Sequence, residues 1–299
     1  MEILVTGGAG FLGSHLVDAL IARGDQVIVF DDLSRGSSDQ VAEGAIFVEG
    51  DVRSIQDWEG IFQSHSPKVI HHLAAINGTR RFHKEADLVV DVNVNGTRNA
   101  LSIAKKHGCR MIFYSSPESF GEQETMPLSN DSDSLFPPAH LHQRHSYGAS
   151  KHIGEILCQF EVRQGLDVRI ARPCNAYGPR LHGDDNGQVV SMMMAANPIV
   201  VHGDGSQTRS LTWVGDIIDG LLKLTDIDGL EGNAFNLGST NEITMLELAN
   251  IISKIRDVRI IHGDANHGDS KRRLPDVSMN SKISWEAKTP LSEGLTQLL

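Results

Sequence analysis

The stretch Thr6-Gly7-Gly8-Ala9-Gly10-Phe11-Leu12-Gly13 follows a short apolar run, Glu2 to Thr6, and opens a segment whose apolar residues have helical spacing. Gly7, Gly10 and Gly13 recur at every third position. Glycine there allows a tight turn, lets the backbone approach a pyrophosphate and lets a helix pack closely on a strand. The N–H groups at the start of that helix would face the phosphates. The stretch therefore predicts a strand, a phosphate-binding turn and a helix.

The alternation of strand and helix continues along the chain. Apolar runs predict strands at 26–30, 45–48, 69–73, 110–115 and 167–171, and helical spacing predicts helices at 11–22, 88–106 and 147–164. Repeated βα alternation indicates a parallel sheet with helices on both faces. We therefore predict a doubly wound α/β fold (a Rossmann fold), whose ligands bind beyond the carboxyl ends of the strands.

The regular alternation weakens beyond Arg172. Gly, Pro, Asn and Asp become frequent there, although 233–237 has the pattern of one more sheet strand. We expect residues 1–172 to form the cofactor-binding Rossmann domain, with a later return of the chain near 206–238. Residues 173–299 are expected to form mainly a smaller substrate-binding lobe over the strand ends.

The composition disfavours several classes of protein. The 299 residues carry a net charge of -11, whereas nucleic-acid binders usually show a basic excess, so no nucleic-acid partner is predicted. No apolar run reaches the ~18 residues of a membrane span, and the first residues are typical of a strand rather than a signal peptide. The three cysteines lack CxxC spacing, and His140, His142 and His145 have no fixed ligand geometry, so no disulfide framework and no metal site are predicted. We expect a cytoplasmic protein.

The ends of the predicted strands supply a cofactor site. Asp31 follows the second strand, where a carboxylate accepts the ribose hydroxyls of adenosine and repels the 2′-phosphate of NADP. Arg35 lies close by, yet the carboxylate favours NAD. Small residues after the fourth strand would let the cofactor lie against the backbone. The predicted cofactor residues are Gly7, Gly10, Phe11, Leu12, Gly13, Asp31, Asp51, Val52, Leu73, Ala74 and Ala75.

Tyr147 and Lys151 stand four residues apart and therefore share one face of a helix. Free tyrosine, with a pKa of about 10, is a poor base at neutral pH. A neighbouring ammonium and a cationic nicotinamide would stabilise its phenolate, which could then take a proton from a sugar hydroxyl while hydride leaves for NAD. Ser116, which ends the fifth strand, would hydrogen-bond that hydroxyl, and Glu118 is a candidate second acid or base. These four residues are the predicted catalytic set, and Tyr147 and Lys151 would also contact the cofactor.

Several motifs together resemble the extended short-chain dehydrogenase/reductases, specifically the nucleotide-sugar epimerase/dehydratase group. They stand at 6–13, 73–75, 115–116, 147–151 (Tyr-Gly-Ala-Ser-Lys), 172–179 (Arg-Pro-Cys-Asn-Ala-Tyr-Gly-Pro), 203–209 and 272–276. The resemblance runs almost end to end. It implies an NAD-dependent enzyme that oxidises a nucleotide-linked sugar at C4.

The resemblance also implies roles for individual residues. Asn175 should contact the substrate, and Arg209 and Arg273 should hold its diphosphate or nucleotide. Asn93 matches a residue that supports the site around the nicotinamide, and we count it with the cofactor residues. Relatives usually dimerise through two helices per subunit, here the two long predicted helices, so a homodimer is expected.

Members of this group share the opening oxidation and differ in the later steps of the reaction. Pro117 stands where 4,6-dehydratases typically carry Asp, so the proton donor expected of a dehydratase is missing. Uronate decarboxylases also carry a glutamate at the position of Glu118. Simple 4-epimerisation needs only Ser116, Tyr147, NAD and room for the sugar to turn, and we favour it. A nucleotide-sugar decarboxylase of the UDP-glucuronate type, or a dehydratase, is the alternative.

The sequence also permits other interpretations. In 76–83, where relatives line the sugar pocket, Arg80 or Arg81 would suit a uronate, although a solvated loop explains them equally well. A fold does not imply a function, so a non-catalytic NAD-binding sensor is an alternative of another class. A plain carbonyl reductase, which releases its cofactor at each turnover, is a third.

Overall fold

The computed structural model describes residues 1–141, 145–184, 187–264 and 271–299. Its strands are β1 (Glu2–Thr6), β2 (Gln26–Asp31), β3 (Ile46–Glu49), β4 (Val69–His72), β5 (Arg110–Tyr114), β6 (Val168–Pro173), β7 (Ala176–Tyr177), β8 (Ile199–His202), β9 (Thr208–Ser210), β10 (Thr212–Trp213), β11 (Ala234–Leu237), β12 (Glu242–Thr244), β13 (Ile260–Gly263) and β14 (Arg272–Arg273). Its α-helices are α1 (Phe11–Ala22), α2 (Ile55–Ser64), α3 (Thr79–Lys84), α4 (Ala86–Val90), α5 (Gly96–His107), α6 (Ser146–Arg163), α7 (Val189–Ala195), α8 (Val214–Asp226), α9 (Met245–Arg256) and α10 (Leu291–Thr296).

Seven of these strands form one sheet in the order β11-β6-β5-β4-β1-β2-β3. Neighbouring strands in it run parallel. This confirms the predicted doubly wound α/β fold. The strand order reverses between β1 and β4, so the loops after these two strands diverge and open a crevice at the carboxyl end of the sheet.

Helices cover both faces of the sheet. On one face α1 and α8 pack around buried side chains such as Leu16 and Phe235. On the other face α2, α5 and α6 pack around Trp58 and Phe113. Because both faces are covered, the strands are continuous apolar runs rather than alternations of apolar and polar residues.

A second apolar core lies within the region that follows β6. It contains Met193, Ile199, Leu248 and Ile252. There β8 pairs with β13, and β9 lies between β12 and β14. The chain returns to the main sheet through α8 and β11. Among the described residues, no helix has both the length and the apolar character of a membrane span.

Helix α6 approaches the strand ends closely because glycine lies on its inner face. A Cβ atom at Gly148 would lie 2.3 Å from the carbonyl oxygen of Glu118. The helix that carries Tyr147 and Lys151 therefore packs directly against the 3-10 turn Pro117–Phe120.

The helix predicted at 88–106 contains an irregularity that the sequence pattern did not reveal. After α4 the chain makes a π-helical turn over Asp91–Asn95 before α5 begins. Such turns are rare and often occur at functional sites. Here the turn directs the side chain of Asn93 inward, where it is 2% exposed. The segment near 80, for which a solvated loop was one of two interpretations, forms the short helix α3.

Candidate active site

A cleft of about 980 Å³ opens at the carboxyl ends of the strands. Its volume suits a ligand of cofactor size. The predicted site residues that line it are Gly7, Gly10, Phe11, Leu12, Gly13, Asp31, Val52, Leu73, Ala74, Ala75, Ser116, Glu118, Tyr147, Lys151, Asn175, Arg209 and Arg273. Two predicted cofactor residues, Asp51 and Asn93, are not part of the lining.

The glycine-rich turn forms one wall of the cleft. A Cβ atom at Gly13 would lie 2.1 Å from the carbonyl oxygen of Gly7, so α1 packs on the turn only because glycine is present. Gly10 is the N-cap of α1 and provides no side-chain cap. The first turn of α1 therefore offers its N–H groups to an anion in the cleft. This geometry fits the pyrophosphate of a dinucleotide.

The carboxylate of Asp31 closes the end of β2. It is 7% exposed, and it accepts hydrogen bonds from the N–H of Ala9 at 3.0 Å and of Leu33 at 2.9 Å. Burial raises the pKa of Asp31, and the two N–H donors oppose that rise. The bond from Ala9 fixes this carboxylate against the glycine-rich turn, where it can accept ribose hydroxyls.

Arg35 lies on the cleft wall but forms an ion pair. Its guanidinium donates to both oxygens of Asp184, at 2.6 and 2.8 Å. An arginine held in this way is poorly placed to bind a 2′-phosphate. The pair thus removes the main objection to NAD that the sequence raised.

Asp51, which we counted among the cofactor residues, does not line the cleft. Its carboxylate is bonded to the guanidinium of Arg53 at 2.6 Å. It lies in a separate polar surface depression, shared with Asp91 and Arg98. Of the neighbours Asp51 and Val52, only Val52 lines the cleft. The cause is the nearby arginine, which draws the carboxylate outward.

Asn93 was counted as a cofactor residue, and the structure places it behind the cleft wall. Its amide oxygen accepts from the N–H of Ile76 at 2.8 Å, and its amide nitrogen donates to the hydroxyl of Ser150 at 2.9 Å. Ser150 in turn donates to the carbonyl oxygen of Tyr147. Asn93 therefore joins the loop after β4 to α6.

Tyr147, Ser116 and Lys151 meet at the floor of the cleft. Burial raises the pKa of Tyr147, a hydrogen bond with Ser116 lowers it, and the charge of Glu118 raises it again. The ammonium of Lys151 lies 5.7 Å from the centre of the Tyr147 ring and donates to the carbonyl oxygen of Tyr114 at 2.7 Å. Burial lowers the pKa of Lys151 to about 8. The structure thus brings these three side chains together, and their role as a hydroxyl, phenol and ammonium relay stays a prediction.

The 3-10 turn after β5 places Glu118 beside this relay. Its N–H donates to the hydroxyl of Ser116 at 3.2 Å. Its carboxylate lies 3.7 Å from the guanidinium of Arg273 and remains 37% exposed. Glu118 is therefore open to a ligand in the cleft, between the catalytic floor and a cation.

A buried ion pair that the sequence did not reveal holds this turn to α6. Glu155, one turn beyond Lys151, bonds to Arg172 at 2.6 Å, with side-chain exposures of 12% and 6%. Its carboxylate also accepts from the hydroxyl of Ser115. Burial raises the pKa of Glu155, but the Arg172 guanidinium outweighs this and keeps that pKa below its usual value. The pair fixes the distance between the strand end that carries Ser116 and the helix that carries Tyr147.

Two arginines form the far wall of the cleft. Arg273 on β14 lies opposite Arg209 on β9 in the strand register. Arg273 is 5% exposed, and among the described residues its Nε and Nη1 atoms have no hydrogen-bond partner. Buried charged groups are normally paired, so these atoms fit an anionic ligand such as a diphosphate. Asn175, whose amide donates to the carbonyl oxygen of Ser210 at 3.1 Å, lies nearby in the lining.

The sequence left the role of 76–83 open between a uronate site and a solvated loop. Arg81 lines the cleft but is paired with Glu85 at 2.7 Å. The unpredicted participant is Phe82, whose ring stacks on that of Tyr147. Its apolar character was visible in the sequence, but only the helix α3 shows which way it faces. Of the three histidines before Tyr147, His142 lies outside the described residues, and His145 is bonded to Glu122 at 3.0 Å.

Known proteins resemble this chain over most or all of its length. A family model described as the NAD dependent epimerase/dehydratase family matches residues 3–238. UDP-glucuronic acid decarboxylase 1 of Arabidopsis thaliana is 35% identical over 309 residues, which cover 100% of this chain and 69% of that protein. UDP-glucuronic acid decarboxylase 1 of Danio rerio is 32% identical over 318 residues, which cover 100% of this chain and 72% of that protein. Among solved structures, UDP-glucose 4-epimerase of Thermotoga maritima with UDP-glucose superposes with a TM-score of 0.92 and 29% identity, covering 99% and 97% of the two chains.

Proposed function

Because this chain belongs to the NAD-dependent epimerase/dehydratase family and is an enzyme that uses NAD, we propose that it decarboxylates a UDP-linked uronic acid. The observation that carries the proposal is the position of Glu118. Its carboxylate is open to the cleft beside Ser116 and Tyr147. Similarity to UDP-glucuronic acid decarboxylases over the whole chain supports the same activity.

The first step is oxidation of the sugar at C4. Tyr147 takes the proton of the C4 hydroxyl, and Ser116 holds that hydroxyl through a hydrogen bond. Lys151 stabilises the phenolate that this requires. When bound, NAD accepts the hydride from C4 and returns it at the end of the cycle. Arg273 and Arg209 hold the diphosphate, so that the sugar reaches the catalytic floor.

The second step is loss of the sugar carboxylate. A ketone at C4 is β to the C6 carboxylate, so the C5–C6 bonding electrons pass to the C4 carbonyl as carbon dioxide leaves. A proton replaces carbon dioxide at C5. We assign two effects to Glu118: its charge repels the sugar carboxylate before cleavage, and it relays the incoming proton afterwards. The phenol of Tyr147 then returns its proton to the C4 oxygen, and because C4 also regains its hydride the overall reaction is redox-neutral.

A 4-epimerase, the activity that the sequence favoured, remains the second candidate. The close superposition on a UDP-glucose 4-epimerase supports it. Epimerisation needs the same oxidation by Tyr147 and Ser116, followed by rotation of the sugar. It gives Glu118 no task, and for that reason we place it second.

The two candidates are separated by a substrate labelled at one atom. UDP-glucuronate carrying ¹³C at C6 is incubated with the protein and NAD and followed by NMR, beside UDP-glucose in a parallel tube. We expect labelled bicarbonate and an unlabelled UDP-pentose, with UDP-glucose unchanged. Conversion of UDP-glucose to UDP-galactose, with the C6 label retained in the uronate, would identify an epimerase. Retained NAD without turnover of either sugar would favour the sensor.

We further propose that the protein forms a homodimer through an apolar strip on α4 and α6. The strip consists of Val90, Ile153, Ile156 and Phe160, which are 40–55% exposed. The three α6 residues are spaced three and four apart, so they share one face of the helix. Contiguous exposed apolar side chains of this kind mark interaction surfaces. A second copy would cover the strip with an identical one.

Disruption of the strip should dissociate the dimer. The double variant Ile156→Glu/Phe160→Glu places two like charges on each side of a twofold interface, so light scattering after size exclusion should give the mass of one chain. Ile261→Glu alters a residue of similar exposure (40%) on β13 and should leave the dimer intact. A double variant with the wild-type mass would exclude this surface as the interface.

A further inference from the structure

The ring of Phe82 lies almost parallel to the ring of Tyr147. Their centroids are 5.0 Å apart, with an angle of 13° between the planes. The hydroxyl of Ser146 donates to the carbonyl oxygen of Phe82 at 3.0 Å, which fixes α3 against the first turn of α6. The stack is therefore held by the backbone as well as by ring contact.

This stack completes an apolar surrounding for the phenol. Tyr147 is 8% exposed and shares its cluster with Ile76 and Val89. Phe82 packs against the same cluster from the cleft side. A phenolate in such surroundings loses the water that would stabilise its charge.

Few charged groups face the phenol. Lys151 reaches it from α6, and Glu118 faces it from the turn after β5. The guanidinium of Arg273 on β14 lies 3.7 Å from the carboxylate of Glu118. Arg81 and His83 line the cleft from α3, and Arg81 is paired with Glu85. The charge of Glu118 thus opposes the effect of the Lys151 ammonium on the phenol, and a cationic nicotinamide would favour deprotonation.

We propose that Phe82 is a positioning residue that keeps Tyr147 protonated, by covering its phenol against water, until the oxidised and cationic cofactor is bound. Burial, the largest cause of the raised pKa of Tyr147, acts in this direction. Tyr147 would then be a base only when a hydride acceptor is present, and an acid once the cofactor is reduced. This inference rests on the proposed role of Tyr147 as the catalytic base.

The protonation of Tyr147 can be measured without any sugar. The chain has three tyrosines, so protein labelled with ¹³C at tyrosine Cζ gives three NMR resonances, and the one missing in Tyr147→Phe belongs to Tyr147. Burial raises the pKa of both Tyr114 and Tyr177, so they should stay protonated and report an intact fold. The holoenzyme is titrated once with NAD⁺ and once with NADH.

We expect Tyr147 in the wild type to titrate at lower pH with NAD⁺ than with NADH. Phe82→Ala admits water and should lower the midpoint in the NADH form by at least about one pH unit, since burial shifts such groups by several units. Phe82→Leu keeps an apolar cover and should stay close to the wild type. If Phe82→Ala does not fold, Phe82→Val removes the ring with less loss of volume. Its Tyr147 titration midpoint in the NADH form should be lowered in the same direction.

Two results would overturn the inference. One is an alanine or valine variant whose Tyr147 titrates at the wild-type pH in both cofactor forms. The other is a wild type that titrates identically with NAD⁺ and NADH. Both titrations are made without a sugar substrate. A labelled-uronate experiment that shows no decarboxylation would therefore overturn the proposed function and leave the inference about Phe82 standing.

Discussion

Tyr147→Phe should lower kcat for UDP-glucuronate by about 10²- to 10⁴-fold, the usual contribution of a positioned acid–base group. The change removes one oxygen and keeps the ring, so the stack with Phe82 is preserved. Without the phenolate nothing takes the C4 proton, and the first oxidation stops. Turnover is measured by NMR, and binding of UDP by calorimetry, which should be unaffected because Arg209 and Arg273 are intact.

The chain offers a matched control in Tyr177→Phe. Tyr177 is 1% exposed and its hydroxyl has no hydrogen-bond partner among the described residues. The same atom is deleted, but away from the catalytic floor, so turnover should be retained. A Tyr147→Phe protein that keeps more than about a tenth of the wild-type kcat would show that another group takes the proton.

Glu118→Gln should separate the two chemical steps. The opening oxidation uses Tyr147 and Ser116, so reduced cofactor should still form and absorb at 340 nm when UDP-glucuronate is added. Formation of the UDP-pentose should fall by about 10²-fold or more, because the amide neither repels the sugar carboxylate nor relays a proton. Reduced cofactor should therefore accumulate in the variant and not in the wild type.

The control for this variant is Glu124→Gln, which makes the same change at an exposed position on the following loop. It should behave as the wild type does. If Glu118→Gln forms the pentose at the wild-type rate, Glu118 has no part in the second step. Decarboxylation would then no longer be favoured over epimerisation.

The fold, and the presence of most predicted site residues at the cleft, follow from local patterns. Glycine spacing and apolar runs are properties of short segments, and parallel strands bring their carboxyl ends to one edge. Gly7, Asp31 and Ser116 line the cleft for that reason, because each lies at or just beyond the end of a strand.

The predicted residues that do not line the cleft are those whose direction depends on which polar neighbour they bond. Asp51 turns to Arg53, and Asn93 turns inward to Ile76 and Ser150. The pair of Glu155 with Arg172 joins residues on a helix and a strand that the sequence pattern does not align. A pattern predicts which face of an element a residue occupies, but not which of two neighbours its polar atoms will bond.

The π-helical turn at Asp91–Asn95 amounts to one extra residue in an otherwise continuous helix. An α-helix advances by about 100° per residue, so a regular α-helix over these same residues would rotate α5 by that angle relative to α4. The buried side of α5, which includes Ala100 and Ile103, would then face solvent. The π-helical turn thus lets α4 and α5 keep their buried faces while one residue more than a regular helix would hold carries Asn93 inward.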